Sequence, residues 1–333
     1  MKKIKIFSII GFVALMLVLF SCESMTDNYQ QYIKDGEIIY TTKLDSVKAF
    51  AGNHRVLISG ILKEAFSVKQ VVVYWNDFTD SLVVDYIREN DVDTVNILVE
   101  NLEEKSYEFD IYTSDGEGHR SVKVVVFGTA YGERYQESLY PRTVNTYKME
   151  GEDTVAVRWL PADELETLTE LIYTDSTGME VTVNVPKIFS TTFLVNYRHG
   201  VTYRSWYLPE ETAIDSFPTD WTVQEVMIYH STGTFTHPLT GARDFDMDKA
   251  VVRLEENVVE TDYADMGKYG YKMKLKVLED NTVLVIPSGE SPVNLEPNGQ
   301  NTYKPETGEY ILNTKYNATL GDRIVSESLS PKY

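Results

Sequence analysis

The stretch "NLEEKSYEFDIYTSDG", residues 101–116, places Tyr107, Phe109 and Ile111 at alternate positions with acidic residues between them. Successive side chains of a β-strand point to opposite faces, so this spacing predicts a strand with one buried and one solvated face. The Asp-Gly pair that ends the stretch is a turn signal. The sequence here therefore predicts a half-buried strand that ends in a tight turn.

Short alternating apolar runs bounded by Gly, Asn and Asp continue along most of the chain, and no amphipathic helix longer than two turns is predicted. The first segment contains six candidate strands: Arg55–Leu62, Gln70–Trp75, Leu82–Ile87, Thr94–Leu102, Tyr107–Thr113 and Ser121–Phe127. The second contains five: Thr154–Trp159, Glu170–Thr174, Glu180–Val185, Thr192–Tyr197 and Val201–Leu208. The third contains four, which form two hairpins: Tyr269–Val277 with Thr282–Ile286, and Tyr310–Tyr316 with Arg323–Leu329, the second pair joined by residues 317–322.

The spacing of Leu102, Tyr107 and Phe109 ahead of the turn resembles the corner between strands E and F of a fibronectin type III domain. That resemblance implies a β-sandwich in which the tyrosine hydroxyl bonds back to nearby backbone and Trp75 fills space between the sheets. Sandwiches of this kind serve many unrelated functions, so the resemblance implies a fold and little about activity.

The second segment repeats the order of the first. Asn196-Tyr197 before Tyr203 parallels Asn101-Leu102 before Tyr107, with one more residue in the turn. This parallel predicts a second fibronectin-like module, although a divergent sandwich of another topology would fit the same pattern.

The predicted fold is all-β, with tandem immunoglobulin or fibronectin type III-like sandwiches followed by a C-terminal antiparallel β-sheet or small barrel. The predicted organisation is a lipoprotein signal peptide (1–21), a tether (22–36), a first sandwich (37–130), a second (131–217) and the C-terminal module (218–333).

The only cysteine, Cys22, follows a lysine-rich start and the apolar run Ile6–Phe20, which is too short for a membrane span and predicts a targeting segment. Leu19-Phe20-Ser21-Cys22 resembles a bacterial lipobox, in which the cysteine takes the lipid and becomes the mature N terminus. The alternative is an ordinary signal peptide with a cysteine near its end.

The formal net charge is −20, and loss of three leader lysines makes the mature chain more acidic still. Nucleic acid and anionic lipid surfaces both require basic patches, so neither is an expected partner. Because the body lacks cysteine, an exported chain of this kind depends on its core and not on disulfides.

Three further stretches, taken with the lipobox and the repeats, resemble a family of Bacteroidota surface lipoproteins that carry an uncharacterised domain. They are Gly233–Phe245 (GTFTHPLTGARDF), Glu260–Val277 (ETDYADMGKYGYKMKLKV) and Asn301–Leu329 (NTYKPETGEYILNTKYNATLGDRIVSESL). The resemblance implies a lipid anchor in the outer membrane, cell-surface display, and a SusC/SusD-type importer as a partner. Such lipoproteins include glycan-binding accessory proteins.

No catalytic motif is present: the sequence has no Gly-x-Ser-x-Gly elbow, phosphate loop or dinucleotide fingerprint, and the chain is not predicted to be an enzyme. A zinc site would need several Cys or His ligands at close spacing, and the five histidines are scattered: His54, His119, His199, His230 and His237. Paired carboxylates for glycoside hydrolysis leave no sequence signature among 51 acidic residues, so a hydrolase is kept only as a less favoured alternative.

One acidic cluster, Asp244-x-Asp246-x-Asp248 with Glu255, has the oxygen-ligand spacing of an EF-hand calcium loop. Lys249 occupies the position where that loop needs glycine, and the apolar residues that follow favour a strand. The interpretation is therefore a solvated acidic strand edge, with calcium in another β-loop geometry as the alternative. No other cofactor is predicted.

Aromatic residues give the functional prediction, because sugar faces stack on exposed rings and the chain contains 23 tyrosines. The candidate ligand-binding residues are Trp206, Tyr207, Trp221 and Tyr229. Adjacent Trp206 and Tyr207 must point to opposite faces of one strand, so at most one belongs to the core. Structural packing is the alternative for each ring, since sandwiches use Tyr and Trp freely in their cores.

The sequence thus predicts a non-catalytic cell-surface lipoprotein that captures polysaccharide. The alternative is a scaffold lipoprotein whose last module docks on an outer-membrane importer.

Overall fold

The alternation of Tyr107, Phe109 and Ile111 forms a strand in which all three side chains are buried. The computed structural model describes residues 40–333, and almost all regular elements in that range are strands. The signal peptide, Cys22 and the tether lie outside the described residues. In the described range no helix is long and apolar enough to cross a membrane.

The first sheet has seven strands: β1 (Asp45–Asn53), β2 (Val56–Lys63), β3 (Gln70–Trp75), β4 (Asp80–Asp85), β5 (Val92–Val99), β6 (Lys105–Ser114) and β7 (Val124–Tyr131). Their order is β4-β3-β6-β7-β1-β2-β5. This is the four-stranded layer of a fibronectin type III sandwich joined to its three-stranded layer at one edge. The join is a short parallel pairing that sets Gly52 opposite Ala130. The predicted all-β, sandwich-based fold is confirmed.

The described chain divides into two compact units. The first comprises the residues up to Ala49 with Ile58–Ile97 and Tyr107–Phe127, and the second comprises Phe50–Leu57, Leu98–Ser106 and Gly128–Tyr333.

In the first unit, aromatic packing centres on Phe109, which has no exposed surface. The Tyr107 ring stacks on it with centroids 5.8 Å apart, and the half-buried Trp75 packs against it at 6.3 Å. Tyr107 and Trp75 therefore occupy the core-facing positions that the fibronectin resemblance implied.

After β7, the second unit contains one turn of helix, α1 (Glu133–Glu137), followed by two small sheets. The three-stranded sheet has the order β12-β9-β8 and the other has the order β11-β10-β13-β14, with β15 also paired to β13. These strands are β8 (Val144–Met149), β9 (Val155–Trp159), β10 (Glu166–Asp175), β11 (Glu180–Pro186), β12 (Thr191–Leu194), β13 (Tyr197–Tyr207), β14 (Phe217–Pro218) and β15 (Thr222–Gln224).

The core of these two sheets contains Trp159 edge-on to Tyr203 at 5.4 Å, together with Leu171 and Tyr197. Asn196, just before Tyr197, has a φ of 54°, and Asn101 in the first segment has a φ of 58°. Asparagine tolerates this left-handed conformation better than most residues, and the two turns share it. The parallel between the two segments is thus present in the backbone.

The third sheet has nine strands: β16 (Val226–His237), β17 (Gly241–Glu255), β18 (Val258–Asp262), β19 (Tyr271–Val277), β20 (Val283–Gly289), β21 (Glu296–Pro297), β22 (Thr302–Lys304), β23 (Glu309–Ala318) and β24 (Gly321–Pro331). Their order is β20-β19-β18-β17-β16-β24-β23-β21, and β22 also pairs with β23. Backbone bonds from Val283 N to Asn301 O and from Tyr303 N to Asn281 O, both 2.9 Å, close the sheet on itself. Of the two predicted forms, the sheet is the small barrel.

Strands β16 and β17 have both faces buried around residues 226–229 and 250–251. Tyr229 and Val251 point into the barrel, whereas Val226, Ile228 and Ala250 belong to the core around Trp159. The barrel and the second pair of sheets consequently share apolar contacts within one compact unit.

Several strand predictions need correction. Sequence analysis missed β1, β8, the long strand β16 and the short strand β18, and it predicted β17 only after its acidic part, because mixed charged and small residues obscure their apolar pattern. The turn joining β23 and β24 is shorter than predicted, since Asn317 pairs with Asp322 and Ala318 pairs with Gly321. The predicted Leu82–Ile87 strand lies at Asp80–Asp85, which leaves Ile87 exposed.

A buried ion pair crosses the barrel interior. The Lys249 side chain is 2% exposed and that of Glu327 is 1% exposed. The Lys249 ammonium contacts Glu327 Oε1 and donates to Asp262 O at 3.0 Å, while Ser231 Oγ donates to Glu327 Oε1 at 2.6 Å. Removing one partner of such a pair leaves an uncompensated charge in the core.

We expect Lys249→Met to lower the free energy of unfolding by about 3–5 kcal/mol, because Glu327 would remain buried without its partner. The double variant Lys249→Met, Glu327→Leu should regain most of that loss. Urea denaturation measures both. The control is Lys63→Met, which removes a solvent-exposed pair with Asp45 and should cost less than about 1 kcal/mol. Equal losses in the two single variants would contradict the prediction.

His54 joins three backbone segments of the second unit. Its Nδ1 lies 2.9 Å from Leu102 O and its Nε2 lies 2.9 Å from Glu133 Oε2. Neither oxygen can donate, so both ring nitrogens must carry a proton for both bonds to form. The backbone bond to Leu102 raises the pKa of His54 above its ordinary value of 6.5, with Glu133 adding to the effect.

A raised folded-state pKa stabilises the fold below the ordinary pKa and loses that effect as pH rises through the folded value. We therefore expect wild type to exceed His54→Gln in urea midpoint by its largest margin near pH 5.5, and the margin to shrink toward pH 8.5. His199→Gln is the control, because this histidine lies exposed on β13. A margin that grows with pH would refute the assignment.

Candidate functional site

The exposed face of β13 carries the first candidate site. Alternation along this strand buries Tyr203, Ser205 and Tyr207 and turns Arg204 and Trp206 outward. Trp206 lies opposite Pro218 on β14 and Leu168 on β10, which fixes its position within the sheet. The sequence prediction that Trp206 and Tyr207 face opposite sides is confirmed by their burial.

The Arg204 guanidinium contacts two indole rings. Its guanidinium carbon is 4.9 Å from the ring centroid of Trp206 and 4.3 Å from that of Trp221, which is 40% exposed. Arg204 Nε also donates to Glu170 Oε2 at 2.8 Å on the neighbouring strand β10. Cation–π contacts of this kind contribute about 0.5–1 kcal/mol at exposed sites. They hold both indoles against a neutralised arginine on an open sheet face.

Two of the four predicted aromatic residues do not belong to this face. Tyr207 is buried, and burial raises its pKa to about 12. Tyr229 lies inside the barrel with its ring 6.0 Å from that of Tyr310. Neither has an exposed ring face, so the stacking prediction is wrong for both. The period-two pattern predicted that neighbouring side chains face opposite sides of a strand. It did not predict which of the two faces is buried.

Asp244, Asp246 and Asp248 lie on the extended strand β17, not in a loop that turns around a cation. Their carboxylates have protein partners: Asp248 lies 3.1 Å from His230 Nδ1 and 2.5 Å from the Lys332 ammonium. Asp244 accepts a bond of 2.7 Å from Thr234 Oγ1. The interpretation as a solvated acidic strand agrees with this placement, and calcium binding stays a prediction.

Within residues 40–333, one group brings three potential metal ligands within reach of one another: Asp115, Glu117 and His119 in the turn between β6 and β7. His119 Nδ1 lies 2.5 Å from Asp115 Oδ2, and the Asp115 carboxylate also accepts the Glu117 and His119 backbone N–H groups. These bonds account for the cluster as a turn that stabilises itself.

A charged cleft of about 700 Å³ lies beside the outer face of β17. Its lining includes both acidic and basic residues: Lys148, Glu152, His230, Asp246, Asp248, Lys249, Asp262, Asp265, Lys268 and Lys332. Several carboxylates are already paired, as Asp265 is with Arg243 at 2.6 Å. Burial raises the pKa of Asp262 despite the opposing effect of Lys249.

In this cleft Asp248 and Asp265 are held in ion pairs with Lys332 and Arg243. Its residues are drawn from positions 148 to 332, and sequence analysis contained no signal that could have brought them together. Arg204 could have been found, because it lies two residues before Trp206 and hence on the same strand face.

Residues 22–217 match the family model of DUF4998, a domain of unknown function. The chain belongs to this family. The match covers both sandwich segments and ends before β16, where the barrel sheet begins.

Among solved structures, a two-domain fibronectin type III segment from chicken tenascin is 10% identical, with a TM-score of 0.23 over 54% of this chain and 97% of that chain. The FN1–FN3 domains of chicken CNTN1 are also 10% identical, with a TM-score of 0.32 over 56% and 68%. Comparison with curated proteins gave no match.

Proposed function

We propose that this protein is a lipid-anchored cell-surface protein of a Bacteroidota outer membrane that captures polysaccharide through the outer face of β13. The observation that carries the proposal is the contact of the Arg204 guanidinium with both the Trp206 and the Trp221 ring. Sugar rings present apolar C–H faces that stack on indoles, and the open surface of a sheet suits an extended chain better than a small molecule.

Fixed rings favour such a role on energetic grounds. A side chain already held in place loses less conformational freedom on binding than a mobile one does. Arg204 has five N–H donors, and its bond to Glu170 uses the one on Nε. The remaining donors suit sugar hydroxyls next to the stacking surface.

Affinity electrophoresis of the purified full-length chain, kept in mild detergent, against plant, host and microbial polysaccharides tests this function. We expect one glycan class to retard the chain, and Trp206→Ala and Trp221→Ala each to weaken binding at least about tenfold, or ~1.4 kcal/mol. Tyr140→Ala, which removes an exposed ring elsewhere, is the matched control. Because Trp221 is partly exposed, its variant should fold, and unchanged retardation of Trp221→Ala would refute the platform.

The second candidate function is docking on an outer-membrane importer of the SusC/SusD type. Its support is a run of exposed apolar side chains next to the edge strand β12, namely Ile188, Phe189, Phe193 and Val195. Exposed apolar groups concentrated in one short segment are typical of protein contact sites. A chain that no glycan retards, and that loses co-purification with the importer when Phe189 and Phe193 are changed to Ser, would favour this function.

The proposed anchor is Cys22, which lies outside the described residues. Acyl chains contribute about 0.8 kcal/mol per buried CH₂ group, so a multiply acylated cysteine holds a protein firmly on a bilayer. We expect Cys22→Ser to abolish labelling by radioactive palmitate and to move the chain from the membrane fraction to the soluble fraction. Ser21→Ala, which keeps a small residue before the cysteine, is the control and should still be labelled. Labelling of Cys22→Ser would refute lipidation at this residue.

A further inference from the structure

Arg142, just before β8, is a buried cation without a buried anion bonded to it. The residue is 5% exposed, yet no carboxylate in residues 40–333 forms an ion pair with its guanidinium within 4.0 Å. Its Nε donates to Leu160 O at 2.9 Å, and the terminal nitrogen NH1 is buried with no hydrogen-bond partner. A charged group left in this state costs free energy, so its position calls for a counterion.

Glu166 is the neighbouring buried acid, but it does not fill this role. It is 1% exposed, its Oε1 accepts from Thr169 Oγ1 at 2.8 Å, and its Oε2 has no partner. Burial raises the pKa of Glu166, although Arg142 opposes that rise. Neither carboxyl oxygen of Glu166 bonds to the Arg142 guanidinium, so this acid does not pair with the arginine.

A cleft of about 480 Å³ lies at this end of the sandwich core and is lined by Arg142 and Trp159. The guanidinium carbon lies 5.7 Å from the Trp159 ring centroid. A second cation on the cleft, Lys187, donates to the backbone oxygen of Glu164 at 2.7 Å and forms no carboxylate pair within the described residues. Two cations therefore border a cleft large enough for a sugar residue.

We propose that this cleft binds a carboxylate, carried by a uronic acid residue of an acidic polysaccharide. The planar fork of an arginine matches a carboxylate in two parallel hydrogen bonds. The apolar side chains of Pro161 and Ile188 suit the face of a sugar ring, and Ser190 and Asp163 suit its hydroxyls.

The assignment to a sugar rests on the proposed function, whereas the assignment to a carboxylate rests on Arg142 alone. This site is separate from the β13 face, since no residue is common to the two sets.

Calorimetric titration of the full-length chain with sodium tri-galacturonate tests the proposal, with neutral galactotriose, sodium acetate and a C-terminal dipeptide as comparison ligands. We expect the uronate to bind and galactotriose to bind at least about tenfold more weakly. Added salt should weaken the binding of the uronate. Binding of galactotriose as tight as that of the uronate would overturn the proposal. Acetate or dipeptide binding as tight as the uronate's would overturn the assignment to a sugar.

Arg142→Gln should weaken uronate binding at least about tenfold, and Lys187→Glu, at the cleft, should weaken it without a folding risk. Arg158→Gln, which removes an arginine paired with Glu150 on the same sheet, is the matched control and should bind as wild type does. Lys187→Glu binding the uronate as tightly as wild type would overturn the site. A folded Arg142→Gln variant that also binds it as tightly as wild type would overturn it as well.

Trp221→Ala separates this proposal from the proposed function. Uronate binding that survives in Trp221→Ala but is lost in Lys187→Glu supports the Arg142 site, whatever happens to retardation by polysaccharide. Loss of uronate binding in Trp221→Ala with no loss in Lys187→Glu would place the uronate on the β13 face and overturn the cleft.

Discussion

At the end next to the second pair of sheets, the hairpin of β16 and β17 is buried on both faces, and the second unit depends on this constraint. Val226, Ile228 and Ala250 pack with the core around Trp159, while Tyr229 and Val251 fill the barrel. A slip of one residue would turn each face toward the wrong core, so the register is strongly specified. The buried bond of 2.8 Å from the Tyr197 hydroxyl to Val226 O fixes the hairpin further.

That register also determines where the charges lie. Along β17 the inward positions carry Phe245, Met247 and Lys249, so the ammonium of Lys249 needs Glu327 as a partner within the barrel. The outward positions change from the apolar Ala250 to Asp248 and the acids before it. Apolar packing against the sandwich therefore stops at Asp248, and the charged cleft begins there.

The same constraint explains which strands could be predicted from the sequence. β3, β6 and β19 have one apolar and one polar face or a continuous apolar run, and each was found close to its observed position. β17 places acids outward and one lysine inward, so its pattern resembled a solvated acidic edge. β1 contains small residues such as Ala51 and Gly52, whose burial contributes little apolar area and leaves a weak signal.

The candidate site was predictable only in part, for a related reason. Period-two alternation shows that Trp206 and Tyr207 face opposite ways, but the inside of the sheet is defined by strands far away in the chain. Tyr229 was wrongly predicted to bind ligand, because both faces of β16 are buried at this position and its ring is not exposed. Arg142 gave no signal at all, since an unpaired buried arginine is recognisable only when its surroundings are known.

Arg204 and Arg142, both in the second sandwich, differ in their charged partners, and this difference suits them to different proposed ligands. Arg204 is neutralised by Glu170 and covered by two indoles, so its surface offers ring faces and N–H donors but little net charge. Arg142 keeps its charge in a buried position. A chain with a net charge of −20 repels polyanions at a distance, but salt screens that repulsion beyond about 8 Å at physiological ionic strength. Direct pairing at a buried guanidinium is screened far less. The proposed acidic sugar residue would therefore pair with Arg142, and the proposed neutral sugar faces would stack on the indole rings beside Arg204.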